Sequence, residues 1–286
     1  MFNNLVPVNR ERHGNKAIRS IDGFDFAKGF HLASLMVHEF TRAASVYPIV
    51  FVEDPNADSF RPIVLLGLDA GENLFVGNDG KWQASYIPAI IRRYPFALAR
   101  IEQDADQFTV CVDEDSSLLA DDSDGAQRLF DENGEPTEVI ERVKRYLGEL
   151  QQMEVFTQGF CEFLSSHNLF TPLNMRVRQG QALKQITGCY VVNEERLNNL
   201  SEAAYLEMRE KRYMAAVYAH LTSLSQIERL SMLKDGVLAL SPAEADAKES
   251  EIEAASAAEP AKTGSKSGSG RRSKAKAQDK DDGKLH

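Results

Sequence analysis

From Pro48 to Val112 the apolar residues arrive in short runs, and each run is closed by residues that turn the chain. This spacing constrains the fold most, because short connections join antiparallel neighbours and cannot carry the crossovers of a parallel sheet. Ile49-Val-Phe-Val52 follows Pro48 and ends at the turn-rich Glu53-Asp-Pro-Asn-Ala-Asp58. Pro62-Ile-Val-Leu-Leu66 comes next. Asp69-Ala-Gly-Glu72 predicts a hairpin connection into Asn73-Leu-Phe-Val76, and Asn78-Asp-Gly80 predicts a tight turn leading into Trp82. Phe96 to Ile101 and Phe108 to Val112 predict a further pair. The first half therefore reads as an antiparallel meander. One helix is expected ahead of it, over Phe30 to Val46, where Leu32, Leu35, Met36, Phe40 and Ala43 follow helical spacing.

The second half changes period. Val139, Ile140, Val143, Leu147, Leu150, Met153, Phe160 and Phe163 mark one face of a long helix, with Thr137 as its cap and Glu138 and Glu141 in its first turn. Gly148 and Gly159 weaken it, and Asn168 and Pro172 end it. Leu173 to Arg178 and Leu183 to Val192 predict a second hairpin, and Asn193 caps Glu194-Glu-Arg-Leu197. A last helix carries Met214, Val217, Tyr218, Leu221, Leu224, Ile227 and Leu230, with Gly236 at its stop. The expected fold class is α+β: an antiparallel meander sheet in the first half, packed by helices from the second half.

Composition shifts after Leu240, where Ala, Glu, Lys, Ser and Gly take over. Such a segment lacks the apolar mass to offset chain entropy. The expected division is an ordered domain over 1–240 and a disordered tail over 241–286. The tail holds nine acidic and nine basic residues, so the formal charge of −10 belongs to the domain. An acidic domain repels phosphate backbones, which argues against nucleic-acid binding by the core. The short basic cluster Arg271-Arg-Ser-Lys-Ala-Lys276 reads as part of a solubilising tail.

Cys111, Cys161 and Cys189 are odd in number, widely spaced and set among apolar residues. They are expected to be buried, reduced thiols. No export signal is visible at the N-terminus, and the longest apolar run, Pro62 to Leu68, falls far short of the ~20 residues of a membrane helix. A cytoplasmic protein without a membrane span is expected.

The densest grouping of recognition residues is Trp82, Tyr86, Arg92, Arg93 and Tyr94. Aromatic faces pack a ligand or peptide, and guanidinium forks grip a carboxylate or phosphate. The bland alternative is that the aromatics are core and the arginines pair with surface acids. His31 and His38 lie two helical turns apart on a helical reading, too far for one metal, and no His-x-x-x-His occurs, so no metal is expected. His220 and Ser223 are helix neighbours without an orienting acid or oxyanion elbow, which reads as polar packing. Gly67, Gly71 and Gly80 form no phosphate loop, so no nucleotide or other cofactor is expected.

Several stretches together resemble the bacterial SapC family. They are Tyr47-Pro-Ile-Val-Phe51, Val64-Leu-Leu-Gly-Leu-x-x-Gly-Glu-Asn-Leu-Phe75, Trp82-x-x-x-Tyr-Ile-Pro-Ala89 and Arg92-Arg-Tyr-Pro-Phe96. Leu129-Phe-Asp-Glu-Asn-Gly-Glu-Pro136, Val192-Asn-Glu-Glu-Arg-Leu197 and Tyr218-Ala-His-Leu-Thr-Ser-Leu224 complete the series. The family is named from a link to bacterial surface layers, and some relatives carry transporter labels. The resemblance implies no catalytic motif, and the missing apolar spans argue against a permease. The expectation is a non-enzymatic binding or accessory protein for a peptide, protein or small anionic ligand. The alternatives are a cofactor-free enzyme with an unrecognised site and a surface-layer component.

Overall fold

A computed structural model describes residues 2–54, 57, 59–101, 104–121, 125–179 and 182–237. The chain divides into two units, Met1–Ala245 and Asp246–His286. The tail expected from Ser241 onward, with its basic cluster, lies outside the described residues, as do Pro55, Asn56 and Asp58 of one expected turn.

In chain order the strands begin with β1 (Leu5–Pro7), β2 (Lys16–Ile18), β3 (Leu32–Ser34), β4 (Ile49–Asp54) and β5 (Ser59–Leu65). Then come β6 (Phe96–Ile101), β7 (Asp104–Asp113), β8 (Leu119–Asp121) and β9 (Gln127–Arg128). The second half adds β10 (Phe170–Pro172), β11 (Met175–Gln179), β12 (Ala182–Ile186) and β13 (Tyr190–Val192). The helices are α1 (Arg10–His13), α2 (Phe40–Ala43), α3 (Ala89–Arg92), α4 (Glu138–Ser166), α5 (Glu194–Asn198), α6 (Glu202–Glu210), α7 (Met214–Ser223) and α8 (Gln226–Lys234).

The fold is α+β, with antiparallel sheets in the first half and helices in the second. The strands form separate sheets rather than one meander. One sheet runs β10-β13-β4-β5-β3, another β1-β7-β6, a third β8-β2-β9, and β11 pairs β12 alone. Every pairing among these strands is antiparallel. The meander expectation treated neighbours in sequence as neighbours in one sheet, yet the chain leaves the five-stranded sheet after β5 and opens a new one at β6. Asn73 to Val76 is not a strand. Leu74 N–H donates to Leu66 C=O (2.8 Å), and Val76 makes a single bridge to Trp82 across the turn at Asn78–Gly80.

Two expected helices differ. The segment from Phe30 to Val46 starts as β3 and becomes helical only after Met36. Strand β3 completes the edge of the five-stranded sheet, with Ala33 opposite Val64, so pairing outweighs the local helical spacing. The last helix is two, broken at Leu224–Ser225. Ser223 Oγ donates to His220 C=O (2.6 Å) and Ser225 Oγ to Thr222 C=O (2.9 Å). Such back-bonds compete with the helical ladder and bend it.

Helix α4, 29 residues and about 43 Å long at 1.5 Å per residue, ties the unit together. Thr137 stands at its N-cap as expected, but its hydroxyl donates to Arg128 C=O (2.7 Å) instead of capping the helix. The first half of α4 sends Val139, Ile140, Leu147 and Leu150 against Phe96, Val110 and Val112 of the three-stranded sheet. Its second half sends Phe160, Cys161, Phe163 and Leu164 against the five-stranded sheet and α7. All three cysteines are buried and free, and burial pushes the Cys161 thiol up to about 12.

Candidate functional site

The expected cluster splits into two neighbouring arrangements. Trp82 and Tyr86 belong to a hydrogen-bonded girdle around the buried Glu39. Trp82 Nε1–H donates to the Tyr47 hydroxyl (2.8 Å), which in turn donates to Tyr86 C=O. The Tyr86 hydroxyl donates to Glu39 Oε1 (2.6 Å), and burial, reinforced by that carboxylate, raises the phenol's pKa. Glu39 also accepts from the Ala89 N–H (2.8 Å) and the Met36 N–H (2.9 Å). The carboxylate thus sits at the start of α3, where negative charge meets free N–H groups, and it fixes where Arg92 and Arg93 emerge. In the sequence Glu39 stands out only as half of a weak His38-Glu39 pair, and nothing there marks it as the carboxylate that holds Tyr86 and the start of α3.

Arg92, Arg93 and Tyr94 instead line a cavity of about 270 Å³ between the α3–β6 corner, the segment after β2 and the first half of α4. Its wall also holds Arg19 and Arg142, and no carboxylate lines it. Among the described residues none of the four arginines makes an ion pair. Arg92 is oriented by its Nε–H, which donates to Ile87 C=O (3.0 Å), and by the Tyr86 and Tyr146 rings, 5.8 and 5.9 Å from its guanidinium carbon. Arg142 donates to Gln127 Oε1 (2.9 Å).

Arg93 is the most enclosed of the four. Its guanidinium lies 5.6 Å over the Phe2 ring, and its buried Nε has no hydrogen-bond partner. Burial lowers its pKa, partly opposed by Glu154 farther along α4. The Tyr146 hydroxyl is also buried without a partner, and burial raises its pKa. Tyr94 is buried and forms part of the wall, its ring stacked 4.1 Å from Phe26 and its hydroxyl 3.4 Å from Asp113 Oδ2. Ile18, Phe96, Val139, Val143 and Leu147 supply an apolar floor. Arg19, Arg142 and Tyr146 escaped the sequence reading because they converge on Arg93 only through β2 and α4.

The other candidates settle into structural roles. His220 is fully buried, with Nε2 accepting from the Val192 N–H (3.0 Å) and Nδ1 2.9 Å from Ile49 C=O. That pairing describes the neutral ring with its proton on Nδ1, and burial lowers the pKa to about 4. Ser223 Oγ accepts from the Ile49 N–H (2.9 Å). His220 and Ser223 therefore rivet α7 to the five-stranded sheet, as polar packing. The His38 ring lies 4.9 Å from Phe156, tilted by 57°. Among the described residues no three His, Cys, Asp or Glu side chains are placed to hold a metal ion, and no helix is long and apolar enough to cross a membrane.

No match was found among curated proteins or among solved structures. The SapC family model matches residues 8–230, which takes in the arginine cavity, the five-stranded sheet, strands β6 and β7 of the three-stranded sheet, and most of the terminal helices. The chain belongs to the SapC family.

Proposed function

We propose that this SapC protein is a non-enzymatic binding or accessory protein whose arginine cavity takes an anionic group. One observation carries the reading: Arg93 Nε and the Tyr146 hydroxyl are buried at one cavity without partners, beside three more arginines and no acid. An unpaired buried donor costs about 1–3 kcal/mol, more for a charged group, and the oxygens of a bound anion would remove that penalty. Arg92, Arg93 and Tyr94 act at the cavity, with Arg19, Arg142 and Tyr146. Trp82 and Tyr86 act behind it, holding α3 and the face on which Arg92 stacks. Binding is favoured over catalysis because the Ser–His pair is bonded to backbone on both residues and is spent in packing.

The test uses benzoate and phenyl phosphate, which pair an anion with an apolar ring to match the floor. Calorimetric titration of the full chain should give saturable binding, and the melting temperature should rise by several degrees at a hundredfold excess over Kd, equivalent to about 2.7 kcal/mol. Arg93→Gln should weaken binding about tenfold or more. Absence of binding at millimolar ligand, or equal affinity in Arg93→Gln, would overturn the reading.

A further inference from the structure

The ladder between β6 and β7 leaves a row of main-chain groups facing away from it. Asp113 N–H donates to Pro95 C=O (3.0 Å). By the alternation of antiparallel pairs, Ala97 opposite Cys111 and Ala99 opposite Thr109 then exchange bonds with β7. Phe96 and Leu98 aim their N–H and C=O groups the other way, as Arg100 does its N–H, up to a register shift between Arg100 and Ile101; among the described residues the sheet ends at β6 on that side. Phe96 N–H is taken by Arg93 C=O (2.8 Å). Among the described residues the outward main-chain groups of Leu98 and Arg100 have no partner. Leu98 is half-buried and Arg100 exposed.

This open edge starts at the arginines. Leu98 borders a second cavity of about 250 Å³, which shares Arg93 and Leu147 with the arginine cavity. Leu98 and Gln151 also border a third, more apolar cavity of about 550 Å³, walled by Phe108, Val110, Phe130 and Ile140. The second hollow therefore adjoins the guanidinium groups beside β6, while the third lies over β7 and the Val8–Asn9 segment and meets β6 only at Leu98.

We infer that the arginine cavity receives the C-terminal carboxylate of an extended peptide whose last residues pair antiparallel with the free edge of β6. The inference rests on the anion-binding reading and names its ligand. Edge addition draws affinity from main-chain hydrogen bonds, and side-chain hollows select alternate residues. Antiparallel addition brings the peptide's C-terminus to the start of β6, where Arg92 and Arg93 stand. The opposite direction would bring a positively charged amine to four arginines. A carboxylate matches a guanidinium fork with two parallel bonds, and the apolar floor suits an apolar final side chain.

The probe is an octapeptide of alternating valine and threonine, labelled at its N-terminus with fluorescein and followed by anisotropy against the full chain. The free acid should bind about tenfold or more tighter than the C-terminal amide, and Arg93→Gln should abolish that difference. N-methylation walked along the free acid should alternate, one phase losing about tenfold and the other keeping its affinity, because only alternate N–H groups face β6. Equal binding of acid and amide, or a uniform N-methyl profile, overturns the inference while benzoate binding leaves the anion reading intact. If neither benzoate nor peptide binds, both fall together. The N-methyl scan is made on the unmodified protein, so no folding defect can mimic its result.

Discussion

The two halves of α4 keep different chemical company. Along its second half the buried polar side chains are bonded: Thr157 Oγ1 accepts from the Val37 N–H (3.0 Å) and donates to Met153 C=O (2.8 Å), while across the sheet His220 and Ser223 are engaged by Ile49 and Val192. Along its first half Arg93 and Tyr146 hold buried polar atoms with no partner, next to open volume. Folding alone accounts for the first arrangement. The second stores an unmet demand for oxygen atoms, which folding does not require and a ligand would satisfy. The contrast separates the part of the helix that builds the unit from the part that lines the proposed anion cavity.

The largest expected effect lies on the building side. Phe160 is fully buried between Phe40, Phe51 and Tyr213, with ring centroids 5.9, 6.3 and 5.2 Å away. Phe160→Ala should cost about 3–5 kcal/mol in urea unfolding. Val143→Ala, at the half-buried cavity wall, should cost about 1 kcal/mol, since the space it leaves joins existing open volume. Equal losses would mean that the cavity end is packed as tightly as the other and would erase the contrast.

The next effect is a pH dependence that belongs to the same end. An unfolded histidine has a pKa near 6.5, whereas His220 is held down to about 4 by burial. Above the unfolded value both states are neutral and the full stability is present. Below it the unfolded chain takes up the proton first, so stability falls as pH drops toward the folded value. Between pH 7 and pH 5 the loss should be about 2 kcal/mol. Urea unfolding at the two pH values reads it, and an NMR titration should show the His220 ring neutral down to pH 5. A ring that protonates near 6.5 in the folded protein would show that this end is looser than its bonds imply.

Much of this architecture was legible in the residues, for definite reasons. Ile49–Val52, Pro62–Leu65 and the Phe96–Val112 pair are bounded by turns and lie in strands because local and tertiary preferences agree. The apolar face of α4 was visible for the same reason. Leu32 to Ser34 misled because sheet pairing overrode helical spacing, and the break at Leu224 misled because serine hydroxyls bend a helix without a Gly or Pro to mark it. At the site, the adjacent Arg92 and Arg93 stood out in an acidic chain. The division of labour did not, because Trp82 and Tyr86 are claimed by Tyr47 and Glu39, far away in sequence, and the remaining arginines arrive on other elements.

A sharper comparison matches one hydroxyl from each end. Ser223→Ala strands the buried Ile49 N–H and should cost about 1–3 kcal/mol. Tyr146→Phe removes a buried hydroxyl that already lacks a partner, so its loss should be close to zero or a small gain.

Arg93 gives a comparably small shift and the most informative sign. Replacing an enclosed guanidinium by an apolar side chain of similar length removes a desolvation penalty that Glu154 only partly offsets, and such exchanges are often neutral or stabilising. The methionine keeps contact with Phe2 and the apolar floor that the arginine stem now covers. Arg93→Met in the free protein should therefore change unfolding by less than about 1 kcal/mol, toward greater stability, while anion binding is lost. Sites built for ligands commonly trade stability for function in this way. A loss of several kcal/mol would instead assign Arg93 to the framework, through the Glu154 field that now opposes its desolvation, and would place both halves of α4 on the building side.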